Sequence, residues 1–385
     1  MRKLKWPCLL GLLIVAAMPT AGMCAGEESM SSILDIQKYD RAIHIMAMLL
    51  VGFGFLMVFV KKYGRSALTA TFLLVSTAIP IYICVDSFGW LGKAPGAIID
   101  ELILAEFAAA SLLICAGAVL GRLKMPQYLV LGALFIPCYM LNEWIILENG
   151  FGIIPLGRFA DTGGSIIIHA FGALFGLGVA LTMTTPKELI AAVETDDASD
   201  RFSMLGSMVL WLFWPSFCSA LVPPEQVPAT VVNVILALSG ATVATYFSTV
   251  TLRRKISVAD IANASLAGGV AIGSTCDHAT PTQSIIIGVL AGALSTFGFA
   301  VILPWLQKTI KKVDTCGVMY LHGLPGIMGG LIAIFVVKGL VGSEQLKGIL
   351  ISVVIALVAG YTVGKLISIL GRRTVPYLDS EEFAE

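Results

Sequence analysis

Long apolar segments dominate this chain and leave it few ways to fold in water. Of its 385 residues, 57% are apolar and 13% are charged, about half the charged share of a soluble domain. A helix needs roughly 20 apolar residues to cross a bilayer. We identify eleven such segments, at about 42–60, 67–88, 99–121, 127–147, 162–184, 203–222, 227–250, 259–275, 284–304, 316–337 and 349–371. The sequence therefore predicts an all-α polytopic membrane protein with eleven transmembrane helices.

The first 25 residues have the pattern of a secretory signal peptide. Three basic residues precede an apolar run from Cys8 to about Met18, and small residues follow it. This order of basic, apolar and small residues is typical of a signal that is cleaved. We expect 1–25 to be removed and 26–385 to form one membrane domain, with a short additional transmembrane helix as the alternative.

Basic residues are divided unevenly between the two sides of the predicted membrane. Fifteen Lys and Arg lie in the loops and tail of one side, and six lie in the loops of the other. Because basic loops stay in the cytoplasm, we expect the mature N-terminus outside and the C-terminus inside a bacterial inner membrane. The formal net charge of zero indicates no nucleic-acid partner.

Two parts of the chain repeat one another. Asp161-Thr-Gly-Gly-Ser-Ile-Ile-Ile-His169 and Asp314-Thr-Cys-Gly-Val-Met-Tyr-Leu-His322 share Asp, Thr, Gly and His at the same positions. Gly176 and Gly329 extend the match. Five spans separate the starts of the two helices, so the copies cross the membrane in opposite directions. The sequence thus predicts a 5+5 inverted-topology repeat, a design that places the substrate path near the midplane.

The repeat divides the membrane domain into parts. Repeat one covers about 42–184 and repeat two about 203–337. The last helix, at about 349–371, has no counterpart, and a short cytoplasmic tail covers 372–385.

His169 and His322 are the strongest candidates for function. Each follows its aspartate by eight residues, about 12 Å along a helix, which reaches the middle of a core ~30 Å thick. An ionisable side chain at that depth is a functional hypothesis by default. We expect the two rings to be close and neutral, one nitrogen donating to the other. Satisfied core histidines are the alternative, and a metal site would need further ligands, for which we find no spacing.

Three further groups of side chains are candidates with different weights. Asp161 and Asp314 are expected to cap the histidine helices. Glu143 lies in an apolar stretch near the predicted outer mouth, as does Glu106, and acids there attract cations. Composition alone assigns Phe107 and Phe217 to the core.

Several longer motifs resemble the Rhesus branch of the Amt/Mep/Rh ammonium transporter family. They are GGSIIIHAFGALFGL at 163–177, LWLFWPSF at 210–217, NASLAGGVAIG at 263–273, and DTCG through LHGLPG between 314 and 326. The resemblance implies the Amt/Rh fold, a homotrimer with one pore per subunit, and no cofactor. The motifs that carry the resemblance lie within about 99–340, and the rest of the chain resembles the family in its topology.

The resemblance assigns roles to individual residues. His169 and His322 correspond to the family's twin pore histidines, and Phe107 and Phe217 to its stacked gate phenylalanines. Glu143 resembles the acid of the outer vestibule, and Asp161 and Asp314 match the helix-start aspartates. Tyr320 and Cys218 replace amides of the family pattern, which affects the expected width of the pore.

These observations predict a channel for ammonia and ammonium rather than an enzyme. Outer acids would concentrate NH4+, the phenylalanines would exclude hydrated ions, and NH3 would pass the histidines. A histidine relay that returns the proton would make transport electrogenic instead. Two other hypotheses remain: a carbon dioxide channel of the same fold, and an ammonium sensor whose tail docks an unknown cytosolic regulator.

Overall fold

A computed structural model describes residues 30–92, 96–185, 187 and 194–384. The chain forms two units, Met1–Gln37 and Lys38–Glu385; of the first, the described residues are helical. Within the described ranges the secondary structure is entirely helical. The predicted signal peptide at 1–25 lies outside the described residues.

Eight helices of the described part are long and apolar enough to cross a membrane. Three further helices of the described residues do not meet that criterion, and one of them is short and interrupted near Ser265. In chain order the helices are α1 (Ser32–Phe59), α2 (Lys61–Ser87), α3 (Ile98–Ala118), α4 (Met125–Leu147), α5 (Ser165–Met183), α6 (Asp197–Cys218), α7 (Pro224–Arg253), α8 (Val258–Ile272), α9 (Pro281–Ile310), α10 (Met319–Val336) and α11 (Gly342–Ile369).

Each apolar segment predicted from the sequence coincides with one of these helices, but some bounds differ. Helix α1 begins near residue 32 rather than 42, because four charged side chains within 35–41 interrupt the apolar pattern without ending the helix. Helices α5 and α10 begin at Ser165 and Met319, about three residues later than predicted. There the backbone first makes a turn, with Gly164 at φ 73° and Gly317 at φ 66°.

Helices α5 and α10 pack against equivalent helices through equivalent glycines. A Cβ at Gly176 of α5 would lie 2.8 Å from the carbonyl oxygen of Cys115 in α3. In the same way, a Cβ at Gly329 of α10 would meet the carbonyl oxygen of Ala271 in α8. Small residues let helix backbones approach this closely in membranes. The glycines that extend the sequence repeat therefore make matching contacts in the two halves.

Glycines also bring α7 and α9 together. A Cβ at Gly288 would collide with the carbonyl oxygen of Ala237, and one at Gly292 with that of Ala241. These two helices therefore form a tightly packed pair.

The C-terminal segment folds back onto the helix ends. The Asp379 carboxylate accepts hydrogen bonds from the backbone N–H of Arg65 (2.8 Å) and of Ser66 (3.0 Å). Tyr377 is fully buried and its N–H donates to the Gly121 carbonyl oxygen (2.8 Å). The tail thus holds the beginning of α2 beside the end of α3.

Candidate functional site

The two Asp-Thr-x-Gly segments begin their helices in the same way. The Asp161 carboxylate accepts from the N–H groups of Ile166 (3.0 Å) and Ile167 (2.8 Å). The Asp314 carboxylate accepts from those of Val318 (3.0 Å) and Met319 (3.1 Å). A carboxylate there satisfies N–H groups that a helix start leaves unpaired and faces the positive end of its dipole.

Each helix start also docks on the end of a helix from the other half of the chain. The N–H of Gly163 donates to the carbonyl oxygen of Gly273 (2.7 Å), just after α8. The N–H groups of Thr315 and Cys316 donate to the carbonyl oxygens of Ala118 (3.0 Å) and Gly117 (3.1 Å), at the end of α3. These crossed contacts fix the position of both histidine helices.

His169 and His322 meet between the two helices. Their Nδ1 atoms are 3.2 Å apart, and the ring planes are inclined by only 11°. Both side chains are buried, 2% and 3% exposed. The Nε2 atom of His169 is also buried and has no hydrogen-bond partner among the described residues. Buried polar atoms are almost always paired, so this nitrogen retains the capacity for one hydrogen bond to a small polar molecule.

Aromatic rings continue the line of the histidines on one side. The rings of Phe107 and Phe217 lie 4.6 Å apart between centroids, and Phe217 lies 6.1 Å from His169. Trp214 stacks on His169 at 5.4 Å. On the other side, Phe53 lies 6.2 Å from His322. These four aromatic side chains enclose the histidine pair in largely apolar walls.

A cavity of about 400 Å³ opens beside Phe107. We call it the larger cavity; its lining includes Phe107, Tyr139, Glu143, Asp161, His278 and Lys338. A second cavity of about 20 Å³, the smaller cavity, is lined in part by His322, Phe53 and Cys316. The Phe107–Phe217 pair and the two histidines therefore separate two cavities.

The Glu143 carboxylate is buried at the larger cavity, and a tyrosine holds it. Tyr82 is fully buried and its hydroxyl donates to Glu143 Oε2 at 2.6 Å. Asp100, near the beginning of α3, pairs with Lys38 at 2.6 Å. Glu106 is 1% exposed and its Oε2 has no hydrogen-bond partner in the part of the chain that the structure describes.

The structure also locates Tyr320 and Cys218, the two residues that depart from the family pattern. Tyr320 is buried and its ring packs against Phe299 and Gly298. Cys218 is buried, its sulfur close to Gly163 and in contact with the thiol of Cys276. Neither cysteine is in a disulfide.

Four of these side chains were not singled out from the sequence: Phe53, Tyr82, Trp214 and His278. The LWLFWPSF motif contained a signal for Trp214, since it lies three residues before Phe217. No sequence pattern predicts Tyr82, because its partner Glu143 is remote in the sequence. None predicts His278 either, because it lies in a turn. Among the described residues, no group of three His, Cys, Asp or Glu side chains is arranged to hold a metal ion.

Comparison with known proteins places these features in context. The sequence profile of the Ammonium Transporter Family matches residues 8–375. The structure of Nitrosomonas europaea Rh50, from the Rhesus family of channels, is 50% identical with a TM-score of 0.90, covering 92% of this chain and 94% of that one. The ammonium transporter Rh type A of Bos taurus is 36% identical over 361 residues, covering 89% of this chain and 82% of the relative. The Rh type C protein of Xenopus tropicalis is 32% identical over 373 residues, with coverages of 86% and 77%.

Proposed function

Because the chain belongs to the ammonium transporter family and is a Rh-like member of it, we propose that it conducts ammonia along the line Phe107–Phe217–His169–His322. The observation that carries this proposal is the unpartnered Nε2 of His169, buried between the phenylalanine pair and His322. A ring nitrogen there offers ammonia a hydrogen bond in surroundings that are otherwise apolar.

The proposed topology is eleven membrane crossings, with repeat one at about 42–184, repeat two at about 203–337 and α11 outside the repeat. Two sets of matching contacts support it: the packing of Gly176 on α3 and Gly329 on α8, and the crossed docking of the helix starts. With the distribution of Lys and Arg, this topology puts the larger cavity outside and the tail in the cytoplasm of a bacterial cell. A cleaved signal at 1–25 is part of the same proposal.

The larger cavity serves as the vestibule that recruits ammonium. Glu143 presents a carboxylate there that the hydrogen bond from Tyr82 holds in place. A negative charge in a cleft with apolar walls raises the local concentration of cations. Ammonium would therefore gather next to Phe107.

The phenylalanine pair acts as the gate. Phe107 and Phe217 are 6% and 3% exposed, and their rings close the way from the larger cavity to His169. A bare cation at the centre of a membrane costs several kcal/mol or more, whereas ammonia carries no charge. Ammonium is thus expected to leave its proton on the outer side and to pass the gate as NH3.

The histidine pair then lines the path. Two nitrogens that face each other at 3.2 Å share one proton, so one ring donates and the other accepts. That leaves the remaining ring nitrogens to interact with NH3. Asp161 and Asp314 hold the two histidine helices and do not contact NH3, because backbone N–H groups already occupy their carboxylate oxygens.

Assembly as a homotrimer belongs to this proposal as well. Large apolar side chains are exposed along the outer helices, among them Leu212, Phe247 and Val354, and lipid or neighbouring subunits would cover them. Crosslinking in native membranes would show a trimeric species, and a protein that remains monomeric would contradict this part.

The test is gas flux in proteoliposomes. An inward gradient of ammonia should change the internal pH faster in vesicles with the protein than in empty vesicles, and Phe107→Ala should alter that rate. A carbon dioxide gradient in the same vesicles tests the alternative cargo. Acceleration of carbon dioxide entry without acceleration of ammonia entry would overturn the proposal.

A further inference from the structure

His278 lines the same larger cavity as Phe107 and Glu143, yet the conduction path does not use it. It lies in the turn between α8 and α9, and its side chain is 44% exposed. The ring therefore has access both to the cavity and to water. Of the chain's four histidines, two form the buried pair, and His44 packs on Phe213 with its Nδ1 at 2.9 Å from Ser216 Oγ.

The buried carboxylate of Asp277 lies beside the His278 ring. Asp277 Oδ1 lies 2.9 Å from His278 Nδ1. The side chain of Asp277 is 9% exposed, and its Oδ2 accepts a hydrogen bond from Thr162 Oγ1 at 2.9 Å. Oδ1 itself is buried and has no hydrogen bond of good geometry among the described residues. One oxygen of the Asp277 carboxylate thus accepts from Thr162, the residue after Asp161, and the other oxygen faces the His278 ring.

This pairing of carboxylate and imidazole is the arrangement of a general base. A carboxylate beside one ring nitrogen favours the proton there and leaves the other nitrogen as the acceptor. When the acceptor takes up a proton, the imidazolium stands beside an opposite charge. Imidazoles change charge between roughly pH 5 and 8, and ordinary carboxyls do so about two units lower, so the imidazole suits neutral pH best.

We propose, on the basis of the proposed function, that His278 accepts the proton that ammonium gives up at the outer mouth. One N–H bond of NH4+ breaks, and its electron pair stays on nitrogen to give NH3. The proton bonds to Nε2 of His278, forming an imidazolium that Asp277 faces through Nδ1. The imidazolium then returns the proton to water in the larger cavity, while NH3 continues past Phe107.

The other ionisable groups that face this cavity are less suited to the step. They are Tyr139, Glu143, Asp161 and Lys338. Asp161 is engaged by backbone N–H groups and by Ser274, and Glu143 by Tyr82. Tyrosine and lysine side chains hold their protons at neutral pH. Lys338 is exposed and would repel a cation rather than accept a proton from it.

The test compares His278→Gln with the parent chain in proteoliposomes. Ammonia entry is followed at a fixed external ammonium concentration from pH 5.5 to 8.5, and each rate is divided by the calculated NH3 concentration. We expect the parent to show an inflection in the range where imidazoles titrate. The variant should lose the inflection, and its rate at pH 7.5 should be about tenfold lower than that of the parent. This decrease is smaller than the usual loss of an obligatory base, because water also accepts protons. The apparent KM should stay unchanged, since Glu143 performs the recruitment.

Two further variants keep the result interpretable. His44→Gln removes an imidazole that does not line the cavity and should leave the pH profile as in the parent. Asp277→Asn removes the facing charge and should displace the inflection. The inference is wrong if His278→Gln conducts with the parent's pH profile, or if His44→Gln changes that profile equally. Absence of protein-dependent ammonia flux in the parent itself would instead refute the proposed function.

Discussion

His169 Nδ1 lies 3.2 Å from His322 Nδ1, although 153 residues separate the two in the chain. The contact joins the first turns of α5 and α10, which run in opposite directions in the proposed topology. It follows that each ring is held by a partner from the other half of the chain, and that neither half can form this site alone.

Replacement of either histidine should therefore expose the coupling between them. His169→Ala and His322→Ala each leave one buried ring nitrogen without its partner, which costs about 1–3 kcal/mol. The double variant removes both groups, so its loss of stability should be smaller than the sum of the two single losses. Unfolding of the purified protein in detergent, measured for the parent and the three variants, gives the coupling energy. Strict additivity would contradict the shared hydrogen bond.

Tyr82→Phe tests whether the tyrosine acts through Glu143. Loss of the 2.6 Å hydrogen bond should free the carboxylate to move, so we expect the apparent KM for ammonium to rise by about threefold to tenfold, equivalent to the ~1 kcal/mol of a typical hydrogen bond. The maximal rate should change little. In a Glu143→Gln background the same substitution should have no further effect on KM. An equal effect in both backgrounds would indicate a general structural role.

Gly288→Ala should weaken the packing of α7 and α9. The added methyl group would meet the backbone carbonyl of Ala237, and a backbone cannot move aside as a flexible side chain does. Overpacking of this kind costs about 1–3 kcal/mol, which would lower the melting temperature in detergent. Gly54→Ala is the matched control, because its methyl group would lie 3.4 Å from the nearest side chain, an ordinary contact. Equal melting temperatures for the two variants would refute the close approach.

Acid should release the C-terminal tail from the helix ends. Arg373 donates to both oxygens of Glu381 at 2.6 and 2.7 Å, and this bond holds the pKa of the Glu381 carboxyl below its ordinary value. A lowered folded-state pKa stabilises the docked tail above the unfolded pKa of about 4.3, and that contribution is lost as the pH falls through the lower folded value.

Hydrogen exchange of the tail amides can follow this release. The N–H of Tyr377 donates to Gly121, and its protection from exchange should be high at neutral pH. This protection should decrease once the pH is lower than about 4.3. Glu381→Gln should show the weaker protection already at neutral pH. Protection that is the same in variant and parent at neutral pH would show that the Arg373 pair does not hold the tail.

The helices were the most predictable part of this protein, and side-chain contacts between them were the least. Apolar length predicts helices well in a membrane protein, because a helix must reach across the lipid, and eight helices of the described residues are long and apolar enough to do so. The Asp-Thr-x-Gly repeat predicted two matching helix starts, and the structure shows the same cap at Asp161 and Asp314. The bounds of α5 and α10 differed because the turn at Gly164 or Gly317 precedes the first helical residue.

Contacts between remote residues left no periodic signal. Tyr82 meets Glu143 across 61 residues and Thr162 meets Asp277 across 115, and neither pair is distinguished by spacing. Phe107 could not be told from a core residue by composition, since any buried phenylalanine in an apolar helix has the same neighbours. Only its contact with Phe217, at 4.6 Å, distinguishes it. Local patterns thus predicted the helices and their caps, whereas the lining of the site depended on tertiary packing.

The most direct test of the conduction path is ammonia flux with simultaneous current recording in proteoliposomes that contain the parent or the His169→Ala, His322→Ala double variant. The parent should pass ammonia and exclude K+, while the double variant, still folded, should differ from it in ammonia rate, in K+ exclusion, or in both. A double variant that conducts ammonia and discriminates against K+ as the parent does would contradict the role of the two histidines.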